Sequence, residues 1–193
     1  MVETEDIPNI IRKMRAAWPV SEKSLGELAA ALSLCHFPKR HCLVSEGVAG
    51  GLAYFLEKGM TRSYWVVDGE EITTSFSTEG TLVFSMDEFY YRRPSEEYVE
   101  TIEPVEAYAI SVDTLRTLMT TRQDLTNWSR IIHQNEYRRL HQSHKERLTL
   151  PARERYEAFA RQFPEVCQRA RLADIASYLG ITQSTLSRIR AGR

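Results

Sequence analysis

The sequence predicts an α+β protein: helices first, then an antiparallel β-rich body, then a long helix and an all-α tail. Three observations carry this. Between Leu34 and Val112, short runs rich in β-branched and aromatic residues alternate with glycines. From Asp113 onward, apolar residues recur at helical spacing instead. Charge is also divided. Residues 138–193 hold 12 Lys+Arg and 5 Asp+Glu, the rest hold 13 and 21, and the formal net is only −1. A length of 193 residues, 42% of them hydrophobic, allows one or two domains with a sizeable core.

The elements follow in order. Ile7, Ile10, Ile11 and Met14 mark a short amphipathic helix that ends before Pro19. Leu25, Leu28 and Leu32 mark a second, with Ser21 and Ser24 at its start. Eight strand-like runs come next: LCHF, HCLV, LAYFLEKG, TRSYWVV, EEITTSF, TLVFS, EYVETIE and VEAYAIS. Asp68-Gly69 between the fourth and fifth is a two-residue hairpin signal. Many short strands at this spacing argue for an antiparallel sandwich or barrel. Residues 113–121 read as a short helix. A long helix runs from about Asp124, its expected N-cap, to Leu148, and Pro151 closes that segment. A helix over PARERYEAFARQF and two more in the last 22 residues complete the chain.

Several function classes are disfavoured. No apolar run reaches the ~20 residues of a membrane span, and the acidic N-terminus has no apolar signal region, so a cytoplasmic location and no membrane partner are expected. Cys35, Cys42 and Cys167 are odd in number and form no C-x-x-C pair, against a disulfide framework or an iron–sulfur cluster; Cys35 and Cys42 are expected as small apolar strand residues. His141 and His144 share a helix face without a third ligand, so no metal is expected. No nucleophile–base pairing, phosphate-cradling loop or paired carboxylates suggest catalysis: no catalytic residue is assigned, no enzyme is expected, and no cofactor is predicted. Ten aromatics crowd the β-rich body (Tyr54, Phe55, Tyr64, Trp65, Phe76, Phe84, Phe89, Tyr90, Tyr91 and Tyr98), and alternation should send about half inward.

The most specific stretch is LADIASYLGITQSTLSRIRA, from Leu172 to Ala191. Ile175, Leu179, Ile181, Leu186 and Ile189 occupy the apolar positions of a two-helix corner. Ala176 falls where only a small side chain fits, Gly180 where a positive φ is needed, and Thr182 at an N-cap. Gln183, Ser184, Ser187 and Arg188 are left on the outer face of the second helix. Gln can pair with adenine and Arg with guanine in the major groove. Gln183, Ser184 and Arg188 are therefore candidate base readers, and Thr182, Thr185, Ser187 and Arg190 candidate phosphate contacts.

With ITQSTLSRIR at the C-terminus, LVSEGVAGGLAYFLEKGMTRSYWVVDGEE in the body and TLVFS after it, the sequence resembles the Crp/Fnr family of bacterial transcription regulators. The resemblance spans nearly the whole chain. It implies an N-terminal β-roll of jelly-roll type with flanking helices, a long dimerisation helix and a C-terminal helix-turn-helix. The implied domains are a cyclic-nucleotide-binding-like effector domain at 1–123, the dimerisation helix at 124–148 and the DNA-binding domain at 149–193. The implied partners are double-stranded DNA and a second copy of the chain, with RNA polymerase and an unidentified small molecule as further candidates. The alternatives are a sensor whose roll binds a small molecule other than a cyclic nucleotide, and a protein-interaction scaffold that no longer binds DNA. On the long helix, Leu125, Trp128 and Ile132 fit a dimer seam, after which the stripe shifts to Tyr137, Leu140 and His144.

The sequence departs from the family twice. Cyclic-nucleotide binders carry a phosphate-binding cassette resembling F-G-E-L-A-L…P-R-[ST]-A. Here the matching stretch is FSMDEFYYRRPSEEYVE. Phe84 and Pro94 match, but Ser85 stands at the Gly position, Met86 at the ribose-binding Glu and Ser95 at the phosphate-binding Arg, followed by Glu96 and Glu97. Carboxylates there repel a phosphate, so cyclic AMP is not expected to bind by the usual contacts. Arg92 and Arg93 precede the proline and are expected to face solvent. The second departure is the wing that usually follows the recognition helix; the sequence ends three residues after Arg190, and a full wing is not expected.

Overall fold

In the computed structural model, which describes residues 2–192, the eight strand-like runs all form strands. They are β1 (Ser33–Phe37), β2 (Cys42–Val44), β3 (Leu52–Lys58), β4 (Thr61–Val67), β5 (Glu70–Ser77), β6 (Leu82–Val83), β7 (Tyr98–Thr101) and β8 (Val105–Ser111). Met1 and Arg193, the outer limits of the expected domains, lie outside the described residues. The strands form two four-stranded sheets, ordered β1-β8-β3-β6 and β2-β7-β4-β5. Each sheet alternates strands from the two ends of the series, which is the jelly-roll order. Tyr54 faces Ala109 and Val83, which fixes the register of β3 against β8 and β6. The Asp68-Gly69 turn has positive φ at both residues, +52° and +84°, matching the twist of the strands it joins.

The helices are α1 (Pro8–Ala17), α2 (Glu22–Ala30), α3 (Val112–Thr121), α4 (Gln123–Thr149), α5 (Ala152–Gln162), α6 (Pro164–Arg169), α7 (Leu172–Leu179) and α8 (Gln183–Arg190). The six-residue α6 was not expected from sequence; Pro164 starts it and it is too short to show periodicity. Ser21 caps α2 by accepting from the Ser24 N–H at 3.2 Å. Asp124 is not the N-cap of α4, because that helix already begins at Gln123. Its carboxylate instead accepts from the Ser21 N–H (2.9 Å), the Ser21 hydroxyl (2.7 Å) and the Ser24 hydroxyl (2.8 Å). Burial raises the Asp124 pKa, but these bonds and one from the Leu125 N–H outweigh it and hold the carboxyl at about 2.

The chain divides into two compact units, residues 1–63 with 76–134 and residues 64–75 with 135–193. The boundary thus falls inside α4, and the tip of the β4–β5 hairpin belongs with the C-terminal helices. The first unit holds these apolar clusters among the described residues. One packs Ile7, Ile10, Met14, Leu25 and Leu28 against Phe55, Ile110, Leu115, Leu125 and Trp128. Another lies within the roll, around Leu56, Val83, Val99 and Ala107.

Leu125 and Trp128 are therefore core residues of their own unit, with Ile132 packed beside them. The expected seam over the first half of α4 is already covered. The apolar side chains α4 leaves to solvent lie further along, at Tyr137, Leu140 and Leu148. Of the ten aromatics, Tyr54, Phe55, Tyr64 and Phe89 are buried, whereas Trp65, Tyr90 and Tyr91 are exposed. All three cysteines are free thiols. Cys35 is half-buried against the roll's core, but Cys42 is exposed, because its end of the short β2 faces solvent.

Candidate functional site

The cassette is built on the turn after β6. Residues Asp87–Tyr91 form one π-helical turn, ended by Arg92 in the left-handed region at φ +54°. Ser85 is buried and its hydroxyl accepts from the Glu88 N–H at 3.2 Å. Glu88 in turn accepts from the N–H groups of Gly50 and Gly51 at 3.1 and 2.7 Å, so this carboxylate holds a loop of its own chain. Met86 is exposed. Phe84 packs against Phe89 and Tyr90, with ring centroids 5.1 and 6.4 Å apart. The Tyr90 hydroxyl lies 2.9 Å from His133 Nε2, and His133 Nδ1 lies 2.6 Å from the Ser129 carbonyl oxygen. The carbonyl can only accept, so Nδ1 carries a proton, and in the neutral ring Nε2 accepts from the Tyr90 hydroxyl.

Past Pro94, Ser95 is buried and turned onto its own backbone: its hydroxyl donates to the Glu97 carbonyl (3.0 Å) and accepts from the Glu97 N–H (3.2 Å). Its N–H donates to the Val48 carbonyl, and its carbonyl accepts from the Gly47 N–H. Arg92 faces solvent as expected. Arg93 is also exposed, but Asp87 holds it at 2.6 and 2.9 Å and Glu96 at 3.2 Å. Asp87 further accepts from the Glu96 N–H. Burial, reinforced by the Asp87 charge, raises the Glu97 pKa to about 7. The cassette thus presents carboxylates, and its guanidinium at Arg93 is matched internally. Glu88 was not singled out in the sequence, since its partners are backbone amides near residue 50, which no spacing rule connects to it.

The second candidate site is the α7–α8 pair. Ile175, Ala176, Leu179 and Leu186 are buried and Ile181 and Ile189 half-buried, as the corner requires. Gly180 ends α7 at φ +65°, where an added Cβ would meet only the Arg147 guanidinium at 3.6 Å. Thr182 is the N-cap of α8 and accepts from the Thr185 N–H at 3.1 Å. Gln183, Ser184, Ser187, Arg188 and Arg190 are exposed. Thr185 is half-buried; its hydroxyl lies 2.9 Å from that of Thr182, and Arg188 reaches it at 3.5 Å. Six of the seven candidate DNA-contacting side chains therefore stand in solvent on one short helix and its cap, and Thr185 serves the cap more than the surface.

The rest of this unit supports the pair. The Phe159 ring packs 5.2 Å from Phe163 and 5.1 Å from Tyr178 on α7. Arg139 on α4 donates to the Tyr178 hydroxyl at 3.1 Å, and Tyr178 donates to Ser143 at 3.2 Å. Arg171, before α7, donates to Asp174 at 2.8 and 2.9 Å.

Residues 34–122 match the family model of the cyclic nucleotide-binding domain. No curated protein matches the chain in sequence. Among solved structures, the chain is similar to a regulator assigned to the Crp/Fnr family from Eubacterium rectale, at 13% identity and TM-score 0.70, over 90% of this chain and 83% of that one. It is similar to CLP, described as the c-di-GMP responsive global regulator of Xanthomonas campestris, at 17% identity and TM-score 0.66, over 89% and 91%. It is also similar to the regulatory domain of Toxoplasma gondii PKA with cAMP, at 20% identity and TM-score 0.54, over 61% of this chain; it spans 46% of that one. At these identities the likeness to the solved structures is one of fold.

Proposed function

We propose that the chain is a cytoplasmic, homodimeric, sequence-specific DNA-binding transcription regulator of Crp/Fnr type, with no catalytic role. The observation that supports this most is α8, where the apolar positions are spent on the corner while Gln183, Ser184, Ser187 and Arg188 stay in solvent. Gln183, Ser184 and Arg188 read base edges, and Thr182, Ser187 and Arg190 meet phosphates. The second half of α4, with Tyr137, Leu140 and Leu148 exposed, supplies the seam between two copies. Two α8 helices then meet successive major grooves about one turn apart, ~34 Å.

In the same reading the roll does not take cyclic AMP by the family's usual contacts. Ser95 offers no guanidinium, its hydroxyl is committed to Glu97, and Asp87 and Glu96 hold Arg93. The test has two arms. Full-length protein is used to select duplexes from a random library, and the winner is titrated over a range of salt. Enrichment of a two-fold-related site, with affinity falling steeply as salt rises, is the expected result. No enrichment and no salt dependence would overturn the DNA reading. In the second arm, thermal unfolding with millimolar cyclic AMP or cyclic GMP should leave Tm unchanged; a clear rise would show a phosphate site the cassette reading denies.

A further inference from the structure

The second compact unit contains a contact that neither the roll nor the reading helix requires. The Ser177 hydroxyl, on α7, accepts from the Thr73 N–H at 2.9 Å and donates to the Glu71 carbonyl at 3.0 Å. Glu71 and Thr73 are two residues apart on β5, so their main-chain groups point to the same side of the strand. β5 is the end strand in the order β2-β7-β4-β5, with β4 on its other side. The groups Ser177 satisfies are therefore those of the open edge, the row a further strand would otherwise pair with. A serine hydroxyl is both donor and acceptor, so one side chain replaces one residue of a missing strand. Thr73 itself is fully buried.

We propose that Ser177 is a positioning residue for DNA reading: it ties α7, and with it α8, to the edge of the β4–β5 hairpin. This rests on the DNA-binding reading above. The hairpin tip, residues 64–75, continues in both directions into the first unit, at Ser63 and Phe76. The tie thus lies within the second unit and joins its helices to a hairpin tip that the chain itself carries on from the roll. It leaves the outer face of α8 open, since Gln183, Ser187 and Arg188 remain exposed while Ser177 is engaged. Its effect is preorganisation. Two α8 helices bind one duplex only when both are held at a fixed separation, and a loosened pair loses affinity to conformational entropy.

The experiment compares wild type, Ser177→Ala and Ser177→Thr. Alanine favours helix, so α7 is kept, while threonine retains the hydroxyl. Exchange of the Thr73 amide is followed by NMR without DNA, and affinity for the selected duplex is measured across salt. In S177A, Thr73 exchange should accelerate tenfold or more and duplex affinity should fall three- to tenfold. The salt slope should not change, because no phosphate contact is lost. S177T should restore both exchange and affinity. Unchanged Thr73 exchange in S177A would show that the tie does not hold the strand edge and would overturn the proposal. Faster exchange with affinity within twofold of wild type would also overturn it, since the tie would then position nothing. A shallower salt slope would make Ser177 a phosphate contact instead. Failure of the wild type to bind any duplex would remove the DNA reading, and the positioning role with it, whatever the exchange data show.

Discussion

The cassette and the α7–α8 pair put their polar residues to opposite uses. In the cassette most charged and hydroxyl groups are consumed close at hand, Glu88 by Gly50 and Gly51, Arg93 by Asp87 and Glu96, Ser95 by Glu97, while Arg92 faces solvent. On α8, Gln183, Ser187, Arg188 and Arg190 are left in solvent, and Thr182 is given to the cap. A site that binds a ligand must keep donors uncommitted until the ligand arrives, because each internal partner has to be displaced first. By that criterion the proposed DNA reading places its contacts on α8, and residues 34–122, which match the cyclic nucleotide-binding domain, are the part whose donors are more committed.

The sharpest way to break the comparison is to remove the scaffold of the open face. Leu186 on α8 is fully buried. Leu186→Ala should cost about 2–5 kcal/mol of the second unit's stability. Amide exchange over residues 172–190 should rise while the roll's protection is kept, and duplex binding should vanish. Equal exposure of both units would mean that they do not act as separate bodies.

The closed side can be probed through Glu97. Its folded pKa, about 7, lies above the reference value of 4.5. Its contribution is therefore fully present below about pH 4.5 and is lost as pH rises through about 7. Glu97→Gln keeps a neutral side chain at every pH. The variant should lack that loss and, above pH 7, exceed wild type by roughly 3 kcal/mol in urea unfolding. Parallel pH profiles for the two proteins would show that Glu97 ionises freely and that the cassette is more open than its geometry indicates.

How much of this was legible in the sequence depends on the range of the interaction. All eight strands could be read, because turn residues such as Asp68 and Gly69 act within a few positions. The jelly-roll order could not, since pairing β1 with β8 joins residues some 70 apart and no local pattern encodes it. The corner of α7 and α8 was legible because its apolar, small and glycine positions fall in one 20-residue window. Ser177 was not, because its partner Thr73 is 104 positions away and is a backbone amide of no particular residue type. The stripe Leu125, Trp128, Ile132 shows the general difficulty: spacing reveals an apolar face of α4 but not what covers it, and here the cover is the protein's own core.

On the open side, Arg188→Ala should weaken binding to the selected duplex by about 1–3 kcal/mol, the worth of a paired contact to guanine. Its affinity for scrambled duplex should fall much less. Equal losses on both would make Arg188 a phosphate contact and shift base reading to Gln183 and Ser184.

Thr182 lies where the two uses of polar residues meet, and its substitution has the smallest expected effect. Its hydroxyl accepts from the Thr185 N–H, the bond that closes the first turn of α8. Thr182→Ala removes that bond and should cost about 1 kcal/mol of stability, which Thr182→Ser should restore. The DNA arm separates capping from contact. If the hydroxyl also meets a phosphate, the salt slope of T182A should be shallower by about 0.9, the value for one neutralised phosphate. An unchanged slope would mean that the cap consumes the hydroxyl as fully as the cassette consumes its own groups, and the open face of α8 would then begin at Gln183.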